Sequence, residues 1–240
     1  RFYAFTAGDP KQLDAVTKSE LANVLGFGKS LMEHLLEGTL YKRDPKTDTY
    51  NKQFVTMLVR NYRSHEDILY IPNKLYYDQK LKAEAPENIT HLINNESLSS
   101  PVVFHSIRGE CKKPRANSSS YNAEEIEMIK KYIHELLNGQ TLGKKFKAND
   151  IGVVSPYKLQ CNKLKDSLED FTIGVAETFQ GQEKLVMIIS TVCSNNILPQ
   201  FVQNERRINV MLTRAKALMI IIGNDETLAA NNDWLELINF

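Results

Sequence analysis

Short apolar segments alternate along this chain with segments whose apolar residues recur at helical spacing. The apolar segments are rich in Val and Ile at successive positions, which is typical of parallel strands buried on both faces. The predicted strands are Phe2–Ala7, Phe54–Val59, Val102–His105, Ile151–Ser155, Thr172–Ala176, Leu185–Thr191 and Leu218–Ile222. This alternation predicts an α/β layered fold, with helices packed on a parallel sheet and right-handed crossovers.

Helices are predicted between these strands. In one of them Asn122 can cap the first turn, with Glu125 three residues on. Its apolar face is marked by Ile126, Ile129, Ile133 and Leu137. Further helices are predicted over Lys18–Leu25, Tyr157–Leu168 and Gln203–Thr213, and polar loops over Asp44–Asn51 and Gly109–Ser120. The second loop is expected to be mobile, because it holds Lys, Pro, Asn and a Ser triplet.

Composition places the chain among ordinary soluble globular proteins. Its 240 residues are 42% hydrophobic and 25% charged, which suits one large domain or a domain with part of another. The formal net charge of +1 provides no overall basic field, so nucleic-acid binding would depend on local patches. The basic clusters Lys112–Arg115 and Lys144–Lys147 are interpreted as solvated loops rather than binding sites.

Cysteine content and apolar run length indicate an intracellular protein that does not span a membrane. The three cysteines lack metal-binding spacing, and their small, odd number favours a reducing compartment. The longest apolar run, Ala217–Ile222, is far shorter than the roughly 20 residues of a membrane span. No signal peptide is visible, and the chain begins at Arg1 in strand-like sequence, so we interpret it as a fragment of a longer protein.

Two segments imitate nucleotide-binding motifs. Gly28–Ser30 resembles the end of a P-loop, but Asn23 stands where the first glycine belongs and a helix is predicted where a strand is required. Ser30 is therefore expected to begin a helix. Asp225 and Glu226 follow a strand, but Gly-Asn separates them from its end, so Asp225 is expected in a turn or cap.

Two segments that directly follow predicted strands carry candidate phosphate-binding chemistry. In Gly8–Leu13, Gln12 can hydrogen-bond a phosphate oxygen or a water, and Asp9 can accept from a cation or an amide. In Arg60–His65, Arg63 offers a planar fork for phosphate and Tyr62 an aromatic face for a base. The alternatives are a Pro-containing turn for the first segment, and an ordinary exposed arginine with a core tyrosine for the second.

Two later segments complete the constellation. In Glu177–Glu183, Gly181 permits close backbone approach, Glu183 can hold a ribose hydroxyl and Thr178 a nucleic-acid phosphate. Over Arg206–Lys216, helical spacing predicts that Arg207 and Arg214 lie on similar faces, and an arginine there can reach a γ-phosphate across a cleft. The alternatives are a tight helical turn with Phe179 in the core, and a cationic face paired with acids.

Taken in order, these segments closely resemble motifs III, IV, V and VI of superfamily 1 helicases of the Upf-like class. Ile151–Tyr157 resembles motif IVa of that class, with Ser155 in place of threonine. A finer resemblance is to the Armitage and Moloney-leukaemia-virus-ten-homologue branch, through Asn61–His65, Ile71–Tyr77 and Asn209–Asn224. The resemblance covers the chain except the Gly109–Ser120 loop.

The resemblance implies two RecA-like lobes that hold ATP between them, with single-stranded RNA across their top. Residues 1–57 would end the first lobe and residues 58–240 would form the second. The implied catalytic residues are Gln12, Arg63 and Arg214; the implied nucleotide contacts are Asp9, Tyr62, Gly181 and Glu183; and the implied RNA contacts are Ser155, Pro156, Tyr157 and Thr178. No metal ligand is assigned here, and the Mg²⁺ ligands are expected in a missing part of the first lobe.

The resemblance further implies a 5′-to-3′ ATP-dependent RNA helicase of small-RNA silencing, including piRNA pathways, with silencing proteins as partners. It also implies a cytoplasmic location in RNA granules. The fragment alone is expected to be inactive as an ATPase. A DNA helicase of the same superfamily and a non-catalytic RecA-like adaptor for a protein partner remain the alternatives.

Overall fold

The computed structural model describes residues 4–14, 17–92, 98, 100–115, 119–139, 144–194 and 198–240. The chain divides into two compact units, Arg1–Val59 and Arg60–Phe240. Among the described residues, no helix is both long enough and apolar enough to pass through a bilayer. Assignment of the two units to successive helicase lobes stays a prediction.

The first unit contains two short helices. These are α1 (Glu20–Val24) and α2 (Leu31–Glu37), and neither buries a side chain. The predicted helix over Lys18–Leu25 is confirmed in its central part, and Ser30 caps α2 as predicted, accepting from the Glu33 amide.

The two strands predicted for the first unit are wrong over their described residues. Residues 4–7 and 54–59 adopt no strand, and residues 1–3 lie outside the described part of the chain. A strand needs a neighbour for its backbone N–H and C=O groups. No described strand runs beside either segment, and Phe5 and Leu58 are 94% and 84% exposed.

The second unit is built on a parallel sheet whose strand order is β3-β9-β8-β6-β7. Its strands are β3 (Val102–Ser106), β6 (Ile151–Val154), β7 (Thr172–Gly174), β8 (Lys184–Ser190) and β9 (Ala215–Gly223). Short paired strands lie outside it: β1 (Arg60–Asn61) with β2 (Lys82–Ala83), and β4 (Cys111–Lys112) with β5 (Tyr121–Asn122). All five strands of the main sheet coincide with predicted ones, so the parallel α/β architecture is confirmed.

Helices cover both faces of this sheet. They are α3 (Glu66–Tyr76), α4 (Glu87–Thr90), α5 (Ala123–Asn138), α6 (Lys158–Lys165), α7 (Glu205–Leu212), α8 (Asp225–Leu228) and α9 (Asn232–Ile238). On one face, Ile188 and Ile220 pack with residues of α5 and α6. The alternate residues Met187 and Met219 are equally buried, and α3 packs against β9 and α7. Burial on both faces explains the continuous apolar runs in the sequence.

Strand β8 is apolar inside and polar at both ends. At its start, the Lys184 Nζ donates to the carbonyl and side-chain oxygens of Asn149, at 2.7 and 3.1 Å. At its end, the Ser190 Oγ donates to the Glu125 Oε2 at 2.6 Å. Polar contacts thus anchor the strand where its apolar run stops.

Helix α5 has the predicted cap, but its buried face differs from the predicted face at one residue. The Asn122 Oδ1 accepts from the Glu125 amide at 3.1 Å. The buried stripe ends on Leu136 rather than the half-exposed Leu137, since position 136 continues the three-and-four spacing from Ile133.

The Gly109–Ser120 loop prediction is wrong at Cys111–Lys112, which pairs with Tyr121–Asn122 as an antiparallel hairpin. Residues 116–118 of that loop lie outside the described residues. Local polarity concealed the hairpin, because two-residue strands carry no recognisable alternation.

We expect Asn204→Ala to lower the free energy of unfolding by about 1 kcal/mol. The Asn204 side chain caps α7 by accepting from the Arg207 amide at 3.0 Å, and alanine leaves that amide without its partner. Thermal unfolding of the two proteins measures the change. Asn204→Ser is the matched control, since a serine oxygen can cap the same turn; equal stability of all three proteins would contradict the assignment.

Candidate functional site

The amino ends of β8 and β9 gather several of the predicted nucleotide-binding residues. The parallel register pairs Lys184 with Ala215, so the preceding residues Glu183 and Arg214 lie at neighbouring strand starts. The segment after β1 docks on the same place, where the Ser64 Oγ donates to the Ala215 carbonyl at 2.7 Å. We call the resulting group, Arg63, Glu183, Arg214 and Lys216, the amino-edge cluster.

Glu183 links two cations of this cluster. It accepts from the Arg63 Nε at 2.5 Å and pairs with the Lys216 Nζ at 2.7 Å. The hydrogen bond from Lys216, followed by that from Arg63, holds the pKa of Glu183 below its ordinary value. The carboxylate therefore stays ionised near neutral pH, and its side chain is 39% exposed.

Arg214 is the most enclosed member of the cluster, being only 2% exposed. Its guanidinium donates to the carbonyls of Val210 and Gln182, at 3.0 and 3.4 Å, and to the Thr213 Oγ1 at 2.8 Å. A phosphate oxygen could reach this group only after one of these bonds opens. The predicted placement on a helix is wrong, because α7 ends at Leu212.

Arg207 remains on α7 and pairs with Glu177 at 2.8 Å. It therefore does not share a helical face with Arg214. For Arg207, the alternative of a cationic face paired with an acid describes the observed arrangement.

The charge of the amino-edge cluster suits a phosphate. Three cations and one carboxylate leave a net charge of +2 among the four side chains. The Arg63 Nη1 also donates to the Thr213 carbonyl at 3.3 Å, while its side chain stays 30% exposed. An arginine that is oriented but accessible can donate its planar fork to an anion.

Tyr62 and Gly181 flank this cluster in sequence. The Tyr62 side chain is 59% exposed, which rules out the core tyrosine alternative, and the Arg60 guanidinium lies 5.3 Å from its ring centroid. Gly181 has φ of +76° and nothing near the position of an added Cβ, so its backbone is open to close approach. Both positions fit contacts with a nucleotide.

The predicted RNA-binding residues lie at the opposite, carboxyl edge of the sheet. Ser155 follows β6 and is fully buried, and Tyr157 is 6% exposed with its hydroxyl 3.1 Å from the Cys193 Sγ. Pro156 is half-buried. Thr178 is exposed and lies in the turn beside Gly174, at the end of β7. Phe179 is buried, so the alternative of a tight turn with a core phenylalanine also describes this segment.

The two predicted sets are thus separated by the length of a strand. The register pairs Val154 with Ile189, so Ser155 is level with Ser190, seven positions from Glu183, which corresponds to roughly 20 Å. Within the second unit, the structure brings Arg63, Glu183 and Arg214 together and keeps Ser155 and Tyr157 away from them. A nucleotide and an RNA strand could therefore be held at different edges of one sheet.

Asp9 and Gln12 lie in the first unit, in a tight turn around Pro10. The Gln12 Nε2 donates to the Asp9 Oδ2 at 2.7 Å, and the Gln12 amide donates to the Asp9 carbonyl at 3.2 Å. The Pro-containing turn is therefore present. The turn fixes the Gln12 side chain through Asp9. The nucleotide-binding roles of both residues stay predictions.

The structure shows a buried polar network that sequence reasoning did not find. Glu125 is fully buried, and its Oε2 accepts from Ser190 and from the Val192 amide, at 2.6 and 3.0 Å. Its Oε1 has no hydrogen-bond partner among the described residues. Gln160 joins the network by donating to the Ser190 Oγ at 2.9 Å, and Val192 has the unusual φ of 66° for a β-branched residue.

Burial raises the pKa of Glu125 to about 7, against hydrogen bonds from Ser190 and Val192 that lower it. Its location at the third position of a capped helix suggested a capping role, and the side chain instead turns inward.

Lys216 was also missed as a site residue. The sequence offered one signal for it, because Lys216 lies one residue after the start of β9, the strand beside Glu183.

The two imitation motifs have structural roles. Lys29 pairs with Glu37 at 2.5 Å, and Ser30 caps α2. Asp225 is the first residue of α8 rather than the predicted turn or cap residue, because Asn224 caps this helix, and its carboxylate accepts from the Ser106 Oγ at 2.6 Å. Within the described ranges, no group of three or more His, Cys, Asp or Glu side chains is arranged to hold a metal ion.

Comparison with known proteins identifies a matching family and several helicase relatives. A family model described as an AAA domain matches residues 27–226. The chain is 37% identical to the putative helicase MOV-10 of Gallus gallus, over 98% of this chain and 27% of that protein. It is 38% identical to the RNA helicase Mov10l1 of Homo sapiens and 31% to the probable RNA helicase armi of Drosophila melanogaster, over 98% of this chain and 21% and 22% of those proteins. The chain therefore spans about a quarter of the length of these relatives.

Among solved structures, the chain is similar to the C-terminal domain of a possible DNA helicase from Lactobacillus plantarum WCFS1. The TM-score is 0.41 at 10% sequence identity, over 68% of this chain and 88% of that one.

Proposed function

Since the chain belongs to the AAA domain family, in the branch of superfamily 1 helicases that includes MOV-10, Mov10l1 and Armitage, we propose that it is part of an ATP-dependent RNA helicase. Residues 58–240 would form the second RecA-like lobe, and residues 1–57 would end the preceding lobe. Movement from 5′ to 3′, a role in small-RNA silencing including piRNA pathways, and a cytoplasmic location in RNA granules belong to the same proposal.

The amino-edge cluster is the observation that carries this proposal. Its net positive charge fits the γ-phosphate of ATP, with Arg63 oriented by Glu183 and Arg214 beside it. Tyr62 would stack on the adenine, Gly181 would allow close approach, and Glu183 would accept from a ribose hydroxyl. Gln12 and Asp9 would contact the nucleotide from the first lobe.

Bound Mg²⁺ would neutralise charge on the phosphates, and its ligands are expected in a part of the first lobe outside this chain. The residues present here bind and orient the nucleotide. Arginines that contact the γ-phosphate only when the lobes are closed make ATP binding favour the closed arrangement. Thr178 and the Ser155–Tyr157 segment of the second lobe would hold the RNA, so closure would move these RNA contacts relative to the first lobe.

Steady-state kinetics of the full-length protein tests the proposal. We expect ATP hydrolysis that single-stranded RNA stimulates, and unwinding of an RNA duplex with a 5′ overhang. The isolated 240-residue chain should show no hydrolysis above the buffer rate, because the phosphate-binding loop is proposed to lie elsewhere.

Unwinding assays on RNA and DNA duplexes of matched sequence decide between the two substrates. Unwinding of DNA but not RNA would replace the RNA helicase with a DNA helicase. A full-length protein that binds neither ATP nor RNA, but retains a protein partner, would favour a non-catalytic adaptor.

A further inference from the structure

The β4–β5 hairpin is fixed against the start of α6. The Ser119 Oγ accepts from the Leu159 amide at 3.1 Å, and the Asn122 amide donates to the Gln160 Oε1 at 3.0 Å. The Lys163 Nζ lies 4.4 Å from the centroid of the Tyr121 ring. Helix α6 begins directly after Tyr157, so the hairpin adjoins the predicted RNA-binding segment.

Basic side chains concentrate where the hairpin meets α6. Lys113, Arg115 and Lys158 are exposed, and the strand register places Lys112 opposite Tyr121. Two carboxylates of this segment are Glu110, 3.5 Å from Lys112, and Glu124, beside Gly109. The cations are Lys112, Lys113, Arg115, Lys158 and Lys163. These seven side chains sum to a charge of +3, whereas the whole chain carries +1.

This basic surface offers exposed cations that the predicted RNA contacts lack, because those contacts are buried. Ser155 and Tyr157 expose almost no side chain, so their segment offers a phosphate few exposed donors. The exposed Lys158 directly follows that segment along the chain, and the hairpin that carries the exposed Lys113 and Arg115 is bonded to α6 at Leu159 and Gln160. Lysine and arginine contacts with phosphates dominate sequence-independent nucleic-acid binding, and an accompanying aromatic ring favours a single strand.

We propose that the hairpin surface, formed by Lys112, Lys113, Arg115, Tyr121, Lys158 and Lys163, binds the phosphate backbone of single-stranded RNA. It extends the RNA path from Pro156 across the start of α6. This inference rests on the proposed RNA-binding function and assigns a role to a basic cluster whose sequence suggests only a solvated loop.

The test uses the 240-residue chain and a fluorescent single-stranded oligouridylate. We expect Lys113→Ala with Arg115→Ala to weaken binding by about tenfold at low salt. The slope of log affinity against log salt should become shallower by about 1.4, because each lost phosphate contact removes about 0.7 for a single strand. Both side chains are exposed, so thermal unfolding should be unchanged.

The matched control is Lys145→Ala with Lys147→Ala, which removes the same charge from exposed residues that precede β6 at the opposite edge. Its affinity should stay within about twofold of the original chain. Equal weakening by both double substitutions would overturn the inference by showing a general charge effect. Unchanged binding by the hairpin variant would overturn it while leaving the RNA function intact, whereas absence of binding by the original chain would overturn both.

Discussion

Arg214→Lys should lower the ATPase turnover number of the full-length protein by about a thousandfold while leaving RNA affinity nearly unchanged. Arginines that stabilise the γ-phosphate in the transition state contribute roughly 10³–10⁵ in rate. The planar fork of Arg214 is already oriented by Val210, Gln182 and Thr213. A lysine ammonium keeps the charge but cannot reproduce that geometry.

Lysine is preferable to alanine at this position. Arg214 is buried, so alanine would leave a cavity and two carbonyls without their donor, and loss of folding would imitate loss of catalysis. Thermal unfolding and RNA binding of Arg214→Lys identify a folded protein. Arg207→Lys is the matched control, since Arg207 lies on α7 and pairs with Glu177.

The control should retain turnover within about threefold, because its partner is a carboxylate that lysine can also pair with. A folded Arg214→Lys protein with turnover close to the original would remove Arg214 from the catalytic residues. Arg63, with its more accessible guanidinium, would then be the remaining candidate in the second unit.

Glu125→Gln should abolish most of the pH dependence of stability between pH 4.5 and 7. The ordinary pKa of a glutamate is 4.5, and burial raises that of Glu125 to about 7 in the folded protein. Between these values the unfolded chain loses a proton that the folded protein retains. Stability from this group is therefore greatest below pH 4.5 and falls by about 3 kcal/mol as the pH rises to 7.

Chemical denaturation at a series of pH values measures this effect. The difference between the two proteins isolates Glu125, because the rest of the chain is identical in both. Burial raises the pKa of the neighbouring Cys193 to about 12 and also raises the pKa of Tyr157, so neither group titrates in this window. Glutamine adds a buried amide at the unpartnered Oε1 position, a cost that does not vary with pH.

Parallel stability curves for the two proteins would show that Glu125 ionises normally in the folded state. Glu124→Gln is the control for charge at the start of α5. Its side chain is adjacent in sequence and exposed, so it should leave the slope of the original protein in place.

Strand prediction succeeded in the second unit for a physical reason. Segments such as Ile151–Val154 and Lys184–Ser190 are buried on both faces, so nearly every residue is apolar and the signal is local. The same signal misled in the first unit. Residues 54–59 are equally apolar, but strand formation also requires a neighbour, and no described strand adjoins them.

The amino-edge cluster was only partly predictable. Arg63 and Glu183 stand out by residue type, yet their ion pair spans 120 positions and depends on strand register. The burial of Arg214 and Tyr157 was not visible, since each has a polar group that a sequence pattern places at a surface. Glu125 was hidden for the same reason: a carboxylate in a first helical turn normally faces solvent.

The polar ends of β8 have a consequence for how the sheet chooses its alignment. A strand that is apolar on both faces can slide by one position without exposing a polar side chain, so the pattern of polarity in its interior does not specify its register. Lys184, bound to Asn149, and Ser190, bound to Glu125, supply that specification from the two ends. A slip by one residue would separate both pairs and shift Glu183 away from Arg63. The same contacts that end the strand therefore determine which side chains meet at either edge of the sheet.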